Sequence, residues 1–329
     1  MTFTLPQLVD QAMAGGAGGV RAAGRLMSAM EDEPRRLPEL LHAAGPRPCE
    51  PRLIVGVTGA PGSGKSTLTD AMVTEYRRRW PQRRIGVVAV DPSSPLTGGA
   101  MLGDRVRMMR HADDPQVYVR SLAARGRLGG LSLGVQGVIR IMGLIGCDTV
   151  FLETVGVGQS EVEVARVADE VLVVLAPGQG DSVQLLKAGL LEIGDRFVIN
   201  KADRSDAEEL YSALRSMLRM KAIASEERAP SVRGRVNVML VSATQGRGVA
   251  ELVSAVGADA GARTEQRRVR RERILRDDIQ EAVFEEVRRR LANLLGDPNA
   301  DSDLLGRVLA GELSVPDLAQ VLLERSVEA

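Results

Sequence analysis

Aromatic side chains make up only 2% of the 329 residues: four Phe, three Tyr and one Trp. A protein that holds single-stranded nucleic acid on stacked rings needs more of them, so that class is set aside. The two cysteines, Cys49 and Cys147, cannot build a disulfide framework, and a reducing cytoplasm is the expected location. The two histidines, His42 and His111, share no metal-ligand spacing with each other or with the cysteines. Neither sign of charge is in excess, since 43 Lys and Arg balance 43 Asp and Glu. That balance argues against nucleic acid or an anionic membrane as a partner. No apolar run reaches the ~18 residues of a membrane span. The Gly-rich stretch 128–147 comes nearest and is interrupted by Gln136 and Arg140. The start, MTFTLPQLVDQAMAGG, lacks the basic segment and long apolar core of a signal peptide.

What remains is ordinary for a globular protein: 44% hydrophobic and 26% charged residues, enough for one large α/β domain with extensions. Residues 1–50 read as short helices. Thr4-Leu5-Pro6-Gln7 has capping-box spacing, Gly15 to Gly19 interrupts, Val20 to Met30 resumes a helical pattern, and Leu37 to Ala44 adds a short helix. The Pro-rich connector 45–51 is extended, because a residue before proline avoids the α region. From 52 onward strand and helix alternate, which predicts a doubly wound, mostly parallel α/β sheet. The candidate strands are 53–57, 85–90, 117–121, 149–153, 170–175, 196–199 and 236–241. Their near-continuous Val, Ile and Leu content predicts burial on both faces. Helices are expected at 66–79, 131–145, 182–193 and 205–220. Three regions follow: a helical extension over 1–50, the main domain over 51–259, and a charged helical arm over 260–329. In the arm Ile279, Val283 and Val287 recur at helical spacing, and Ser314-Val315-Pro316-Asp317 caps a last helix. A single apolar stripe on so long a helix needs a partner, and a dimer contact is expected there.

The chemistry centres on residues 53–67. A strand-like run leads into Gly59-Ala60-Pro61-Gly62-Ser63-Gly64-Lys65-Ser66-Thr67, which satisfies G-x-x-x-x-G-K-[ST]. Successive N–H groups of such a loop converge on phosphate oxygens at a helix N-terminus. Lys65 places a point charge on the β- and γ-phosphates, and the Ser66 hydroxyl ligates Mg²⁺. Asp91 and Glu153, at two predicted strand ends, and Asp104, in TGGAMLGDRVRMMRH, are further candidate magnesium ligands. Lys65, Asp91 and Glu153 are also the candidates for catalytic roles.

Asn200-Lys201-Ala202-Asp203 follows a strand and suits guanine. The Asp203 carboxylate can accept from N1–H and the exocyclic amine together, which adenine does not offer, so the expected nucleotides are GTP and GDP. Asn200 can reach the base edge and tie the loop together, the Lys201 stem covers the ring, and Ser242-Ala243-Thr244 offers a backbone contact to guanine O6. Glu153-Thr154-Val155-Gly156 has the layout of a γ-phosphate-sensing turn. Val157 after it cannot orient a water as glutamine would, and Gln159 lies two positions farther on. Slow intrinsic hydrolysis, raised when a partner or a second protomer completes the site, is therefore expected. Arg105, Arg107, Gln184 and Lys187 are candidate polar contributors, and Ala176–Asp181 is a candidate mobile loop beside the nucleotide.

GAPGSGKST, VDPSSP at 90–95, ETVGVGQSE at 153–161, APGQGD and NKAD together resemble the MeaB/ArgK family of SIMIBI-class P-loop GTPases, over roughly residues 20–329. The resemblance implies a homodimer assembled through C-terminal helices. Its implied partner is methylmalonyl-CoA mutase or a related cobalamin-dependent acyl-CoA mutase. It further implies GTP-dependent gating of adenosylcobalamin delivery and protection of that mutase from inactivation. By motif it places Gly59–Thr67 on phosphates, Ser66, Asp91, Asp104 and Glu153 around Mg²⁺, and Asn200, Lys201 and Asp203 on guanine. Three alternatives compete: a kinase linked to amino-acid transport, a nickel-inserting GTPase, for which Cys/His ligands would be expected, and a non-catalytic interaction module.

Overall fold

The computed structural model describes residues 4–33, 36–46, 50–92, 109–111, 113–124, 130–154, 164, 166–178, 191–226, 237–262 and 306–328, with scattered positions between 269 and 290. The chain divides into two compact units, Met1–Arg268 and Val269–Ala329.

The first unit is built on a seven-stranded, wholly parallel sheet. In chain order the strands are β1 (Leu53–Gly59), β2 (Arg84–Pro92), β3 (Val117–Ala124), β4 (Cys147–Thr154), β5 (Glu170–Leu175), β6 (Arg196–Ile199) and β7 (Asn237–Leu240). Their spatial order is β3-β2-β4-β1-β5-β6-β7, every neighbouring pair parallel. All seven predicted strands are present. The helices are α1 (Leu5–Ala14), α2 (Gly16–Asp32), α3 (Leu37–Ala44), α4 (Lys65–Arg79), α5 (Gly130–Leu144), α6 (Ala207–Glu226) and α7 (Val249–Ala262). Of the expected helix 182–193 only the turn Leu191–Ile193 lies within the described residues.

β1 is central and buried at all seven positions, between β4 and β5. Alternate side chains feed two cores. Leu53, Val55 and Val57 join Phe151, Leu172 and Val174 beneath α4 and α7. Val150, Leu152, Val171, Val173 and Phe197 face the other way, beneath α1, α2, α5 and α6. Each such side chain contributes about 1.5–3 kcal/mol when fully buried. Phe151 and Phe197 are fully enclosed, one in each core, so the few aromatics serve packing.

The N-terminal helices belong to this core. Val9, Ala12, Leu26, Met27, Met30 and Leu40 share one buried cluster with Val135, Val138 and Ile139 of α5. The capping box at α1 is formed, the Thr4 N–H donating to Gln7 Oε1 at 3.0 Å. The Gly-rich stretch breaks the helix at Gly15 alone, and Gly16 to Gly19 open α2. Gly19 is required by space, because a Cβ there would stand 3.0 Å from the Ala12 carbonyl oxygen of α1.

In the second unit α8 (Val315–Glu328) begins at the expected cap, where Ser314 Oγ and Asp317 bond each other and the Asp317 N–H donates to Ser314 Oγ at 3.3 Å. Leu318 and Leu322 pack on Val308 and Leu313. Val269, Ile279, Val283 and Phe284 are exposed, the last by 64%. Among the described residues no helix is long and apolar enough to cross a membrane.

Candidate functional site

The loop between β1 and α4 closes on the carboxyl edge of the sheet, where ligands bind in doubly wound folds. Two glycines are dictated there. A Cβ on Gly59, at φ 138°, would stand 2.0 Å from the Val174 carbonyl oxygen of β5. Gly64 is left-handed, at φ 88°, and a Cβ on it would meet Asn200 Nδ2 at 2.4 Å. Lys65 opens α4 and is buried, its ammonium donating to the carbonyls of Gly59 at 2.8 Å and Ala60 at 3.0 Å. Next to it the Ser66 hydroxyl donates to Glu153 Oε1 at 2.5 Å. Glu153 ends β4 and is buried. One strand over, Val90 of β2 pairs with Thr154, so Asp91 stands one residue beyond that level at the same edge.

The Asn200 loop leaves β6 two strands from β1 and folds over the phosphate loop. Asn200 is buried and uses its whole amide as a staple. Its Nδ2 donates to the Ser63 carbonyl at 2.9 Å and to the Gly64 carbonyl at 3.3 Å, while its Oδ1 accepts from the Ala243 N–H at 3.1 Å. Of the two tasks expected for Asn200, reaching the base edge and tying the loop together, these bonds perform the tying. The same bond engages the Ala243 N–H, one of the amides expected to face a base oxygen. Lys201, at φ 57°, stretches its ammonium back to the Gly62 carbonyl at 2.8 Å, and its stem bridges the two loops.

Asp203 is held from below. Ser242 Oγ donates to its Oδ1 at 2.6 Å. That bond, with the chain's own N–H and the nearby Arg247 and Arg204 guanidiniums, holds its carboxyl below the usual carboxylate range. It is ionised and accepts only, as the partner of two N–H donors must be. Two residues that the sequence reading passed over complete the frame. Arg247 donates to the Ala202 carbonyl, and its own carbonyl accepts from the Ser242 N–H at 2.9 Å. Arg204, paired with Asp206, lies against Gly178 in the loop after β5. The signal for Arg247 was local: Gly246 and Gly248 on either side both have positive φ, marking a tight turn after Ser242.

Phosphate loop, acidic strand end and Asn-Lys-Ala-Asp loop thus meet at one edge, through Gly59–Ser66, Glu153, Asn200–Asp203 and Ser242–Thr244. Asp104, Arg105, Arg107, Gly156, Val157, Gln159, Gln184 and Lys187 lie outside the described residues, as does the Asp91 side chain. Among the described residues no cluster of three or more His, Cys, Asp or Glu could hold a metal. His111 packs against Asp70 of α4, at 2.9 Å, and burial lowers its pKa. Burial also pushes the Cys147 thiol up to about 12, which makes it inert.

This fold and this loop define an α/β P-loop nucleotide-binding protein. The profile of the family described as "Methylmalonyl Co-A mutase-associated GTPase MeaB" matches residues 25–293. A Pyrococcus abyssi protein that carries the name of a GTPase is 39% identical over 319 residues, covering 91% of this chain and 96% of its own. The GTPase ArgK of Escherichia coli is 38% identical over 224 residues, covering 66% of this chain and 64% of its own. The mitochondrial methylmalonic aciduria type A homolog of Caenorhabditis elegans is 38% identical over 152 residues, 45% of this chain and 37% of its own. Among solved structures, one titled LAO/AO transport system kinase superposes with a TM-score of 0.67 at 25% identity, covering all of both chains. The chain belongs to the MeaB family of P-loop GTPases.

Proposed function

We propose that this chain is a GTP-hydrolysing switch that serves methylmalonyl-CoA mutase or a related cobalamin-dependent acyl-CoA mutase. In that role it gates adenosylcobalamin loading and protects the mutase from inactivation. One observation carries the nucleotide half. Asn200 fastens the phosphate loop to the Ser242–Thr244 turn while Ser242 holds the ionised Asp203. Triphosphate and base are thereby read by one connected unit. The partner half rests on the family match.

In this reading the Lys65 ammonium leaves the Gly59 and Ala60 carbonyls for the β- and γ-phosphate oxygens. The N–H groups of Gly62–Thr67 surround the phosphates, and the Asp203 carboxylate accepts from guanine N1–H and the exocyclic amine. The donor set suits Mg²⁺. Ser66 Oγ and Glu153 Oε1 are hard oxygens already 2.5 Å apart, with Asp91 at the adjoining strand end and Asp104 as the fourth candidate. Mg²⁺ in such a site would neutralise charge building on the β- and γ-phosphates. Lys65 and the loop amides supply the protein's share of that neutralisation, and Glu153 orients the Ser66 hydroxyl.

The functional form is a homodimer. The exposed stripe Val269, Ile279, Val283 and Phe284 supports a second copy on the 260–329 arm. The expected setting is the cytoplasm, with slow hydrolysis that rises when the mutase is present. The decisive experiment captures partners from extract on the immobilised full chain, loaded with a GTP analogue or with GDP, and then assays GTP hydrolysis with the purified mutase. A mutase retained in a nucleotide-dependent way, with a faster rate, is expected. An eluate free of mutase with no rate change would remove the partner, and label moving to a small molecule instead of water would replace the switch by a kinase.

A further inference from the structure

The opposite edge of the same sheet holds a cavity, away from the phosphate loop. It has a volume of about 140 Å³ and lies between the starts of β1 and β4, the C-terminal turn of α4, and α7. Its wall is apolar: Leu53, Met72, Trp80, Phe151, Val253 and Val256. Its polar groups gather at one side, where the Tyr76 hydroxyl lies 2.5 Å from Asp148 Oδ2 and 2.8 Å from Thr149 Oγ1. The Arg83 guanidinium stands 3.4 Å from Asp148 and lies over the Trp80 ring at 5.2 Å. Arg52, exposed at the rim, has no hydrogen-bond or ion-pair partner among the described residues.

Three features select a ligand class. An apolar cavity of about 150 Å³ accommodates a six-carbon ring, so this one takes a branched or cyclic group of about that size. The mouth carries two guanidiniums and one carboxylate, and that carboxylate is already engaged by Tyr76 and Arg83, so the net charge facing a ligand is positive. The aromatic pair Tyr76–Trp80, with ring centroids 4.5 Å apart, and Phe151 put three of the chain's eight Phe, Tyr and Trp residues around this one space. Packing α4 on α7 alone needs Val, Leu and Met, but not two arginines and a Tyr-Asp-Thr cluster around a void.

We propose that this cavity is a binding site for a small apolar monocarboxylate, its chain among Leu53, Trp80, Phe151 and Val253 and its carboxylate at the Arg52 and Arg83 guanidiniums. The site is independent of the nucleotide reading above. The test uses the full chain without nucleotide and sodium 3-methylbutanoate as probe. Its controls are 3-methylbutanamide, which keeps the shape and loses the charge, and sodium chloride at equal ionic strength. Isothermal titration and thermal unfolding are both read. A saturable response with a Kd of about 1 mM is expected, matching so small a ligand, with the amide at least ~10-fold weaker. Val253→Phe fills the cavity and should abolish binding. Arg52→Gln, on the surface, should weaken it ~10-fold while leaving the unfolding midpoint of the unliganded protein unchanged. No saturable heat or midpoint shift at about 50 mM probe would overturn the proposal, as would equal binding of carboxylate and amide, or binding that survives both substitutions.

Discussion

Asn200 makes a prediction that separates holding a loop from touching a ligand. Replacing it by Ala removes three hydrogen bonds, two to the Ser63 and Gly64 carbonyls and one from the Ala243 N–H. Each is worth about 0.5–1.5 kcal/mol net, and a buried donor left without a partner costs about 1–3 kcal/mol, so Asn200→Ala should destabilise by roughly 2–5 kcal/mol. At ~2–4 °C per kcal/mol for a large domain, the midpoint should fall by roughly 4–20 °C. Gly64→Ala supplies the second half. Its new Cβ would lie 2.4 Å from Asn200 Nδ2, so the amide must leave its bonds, and the left-handed φ of 88° adds strain of about 1–2 kcal/mol. The same bonds can be lost only once. The double variant should therefore be more stable than the sum of the two singles predicts, by about 2 kcal/mol. Urea unfolding of all four proteins in the absence of nucleotide measures this directly. Additivity within ~0.5 kcal/mol, or an Asn200→Ala protein as stable as the parent but unable to bind GTP, would refute the staple and return Asn200 to the base edge.

Asp203→Asn should shift preference from GTP to xanthosine triphosphate, since the amide can donate to the extra carbonyl; competition binding reads it, and an unchanged GTP preference contradicts the role. The Arg78 guanidinium, and with it Arg79, holds the Glu75 carboxyl down to about 2. A depressed pKa stabilises above the unfolded value and is lost on acidification, so the stability gap between parent and Glu75→Gln should be constant above about pH 5 and close as pH falls toward 2. Unfolding midpoints across that range test it, and a gap independent of pH would be wrong for this mechanism. Arg196 and Glu170 are a buried ion pair joining adjacent strands. Arg196→Met should cost about 3–5 kcal/mol by stranding the carboxylate, and adding Glu170→Gln should recover part of it. Chemical denaturation of the single and double variants decides, and a double variant less stable than the single would exclude that cause.

The sheet was legible because its strands are buried on both faces and so are written as unbroken runs of Val, Ile and Leu. The phosphate loop was legible for a related reason: Gly59 and Gly64 stand where backbone and side chains approach too closely for a Cβ, and such positions leave glycines in the sequence. The role of the N-terminal segment was not. Ala12, Leu26 and Met30 look like one face of any helix, and only the fold sets Met30 against Gly137, where a Cβ would meet it at 2.9 Å. Nor could Gly15 to Gly19 be divided from composition, because the contact that makes Gly19 small belongs to another helix. The staple of Asn200 spans 137 residues of sequence to Ser63, and no local pattern records such a partner. The cavity at the far edge was equally hidden, being assembled from the beginnings of two strands and parts of two helices.

Helix α4 and strand β4 are bonded at both ends. At one end Ser66 meets Glu153, and at the other Tyr76 meets Asp148 and Thr149. Ten residues of helix rise about 15 Å and four of strand about 13 Å, so the two spans nearly match and the pair forms a ladder with two rungs. β4 is clamped on either side by β1 and β2 and cannot slide. The Tyr76 end is further held by Arg77, which donates to Asp114 at 2.8 Å, and by Arg79, which donates to the Ala250 carbonyl of α7 at 2.7 Å. The helix that carries the lysine of the phosphate loop is thus moored to the floor of the sheet as well as to its nucleotide edge, so the position of Ser66 is set from both ends.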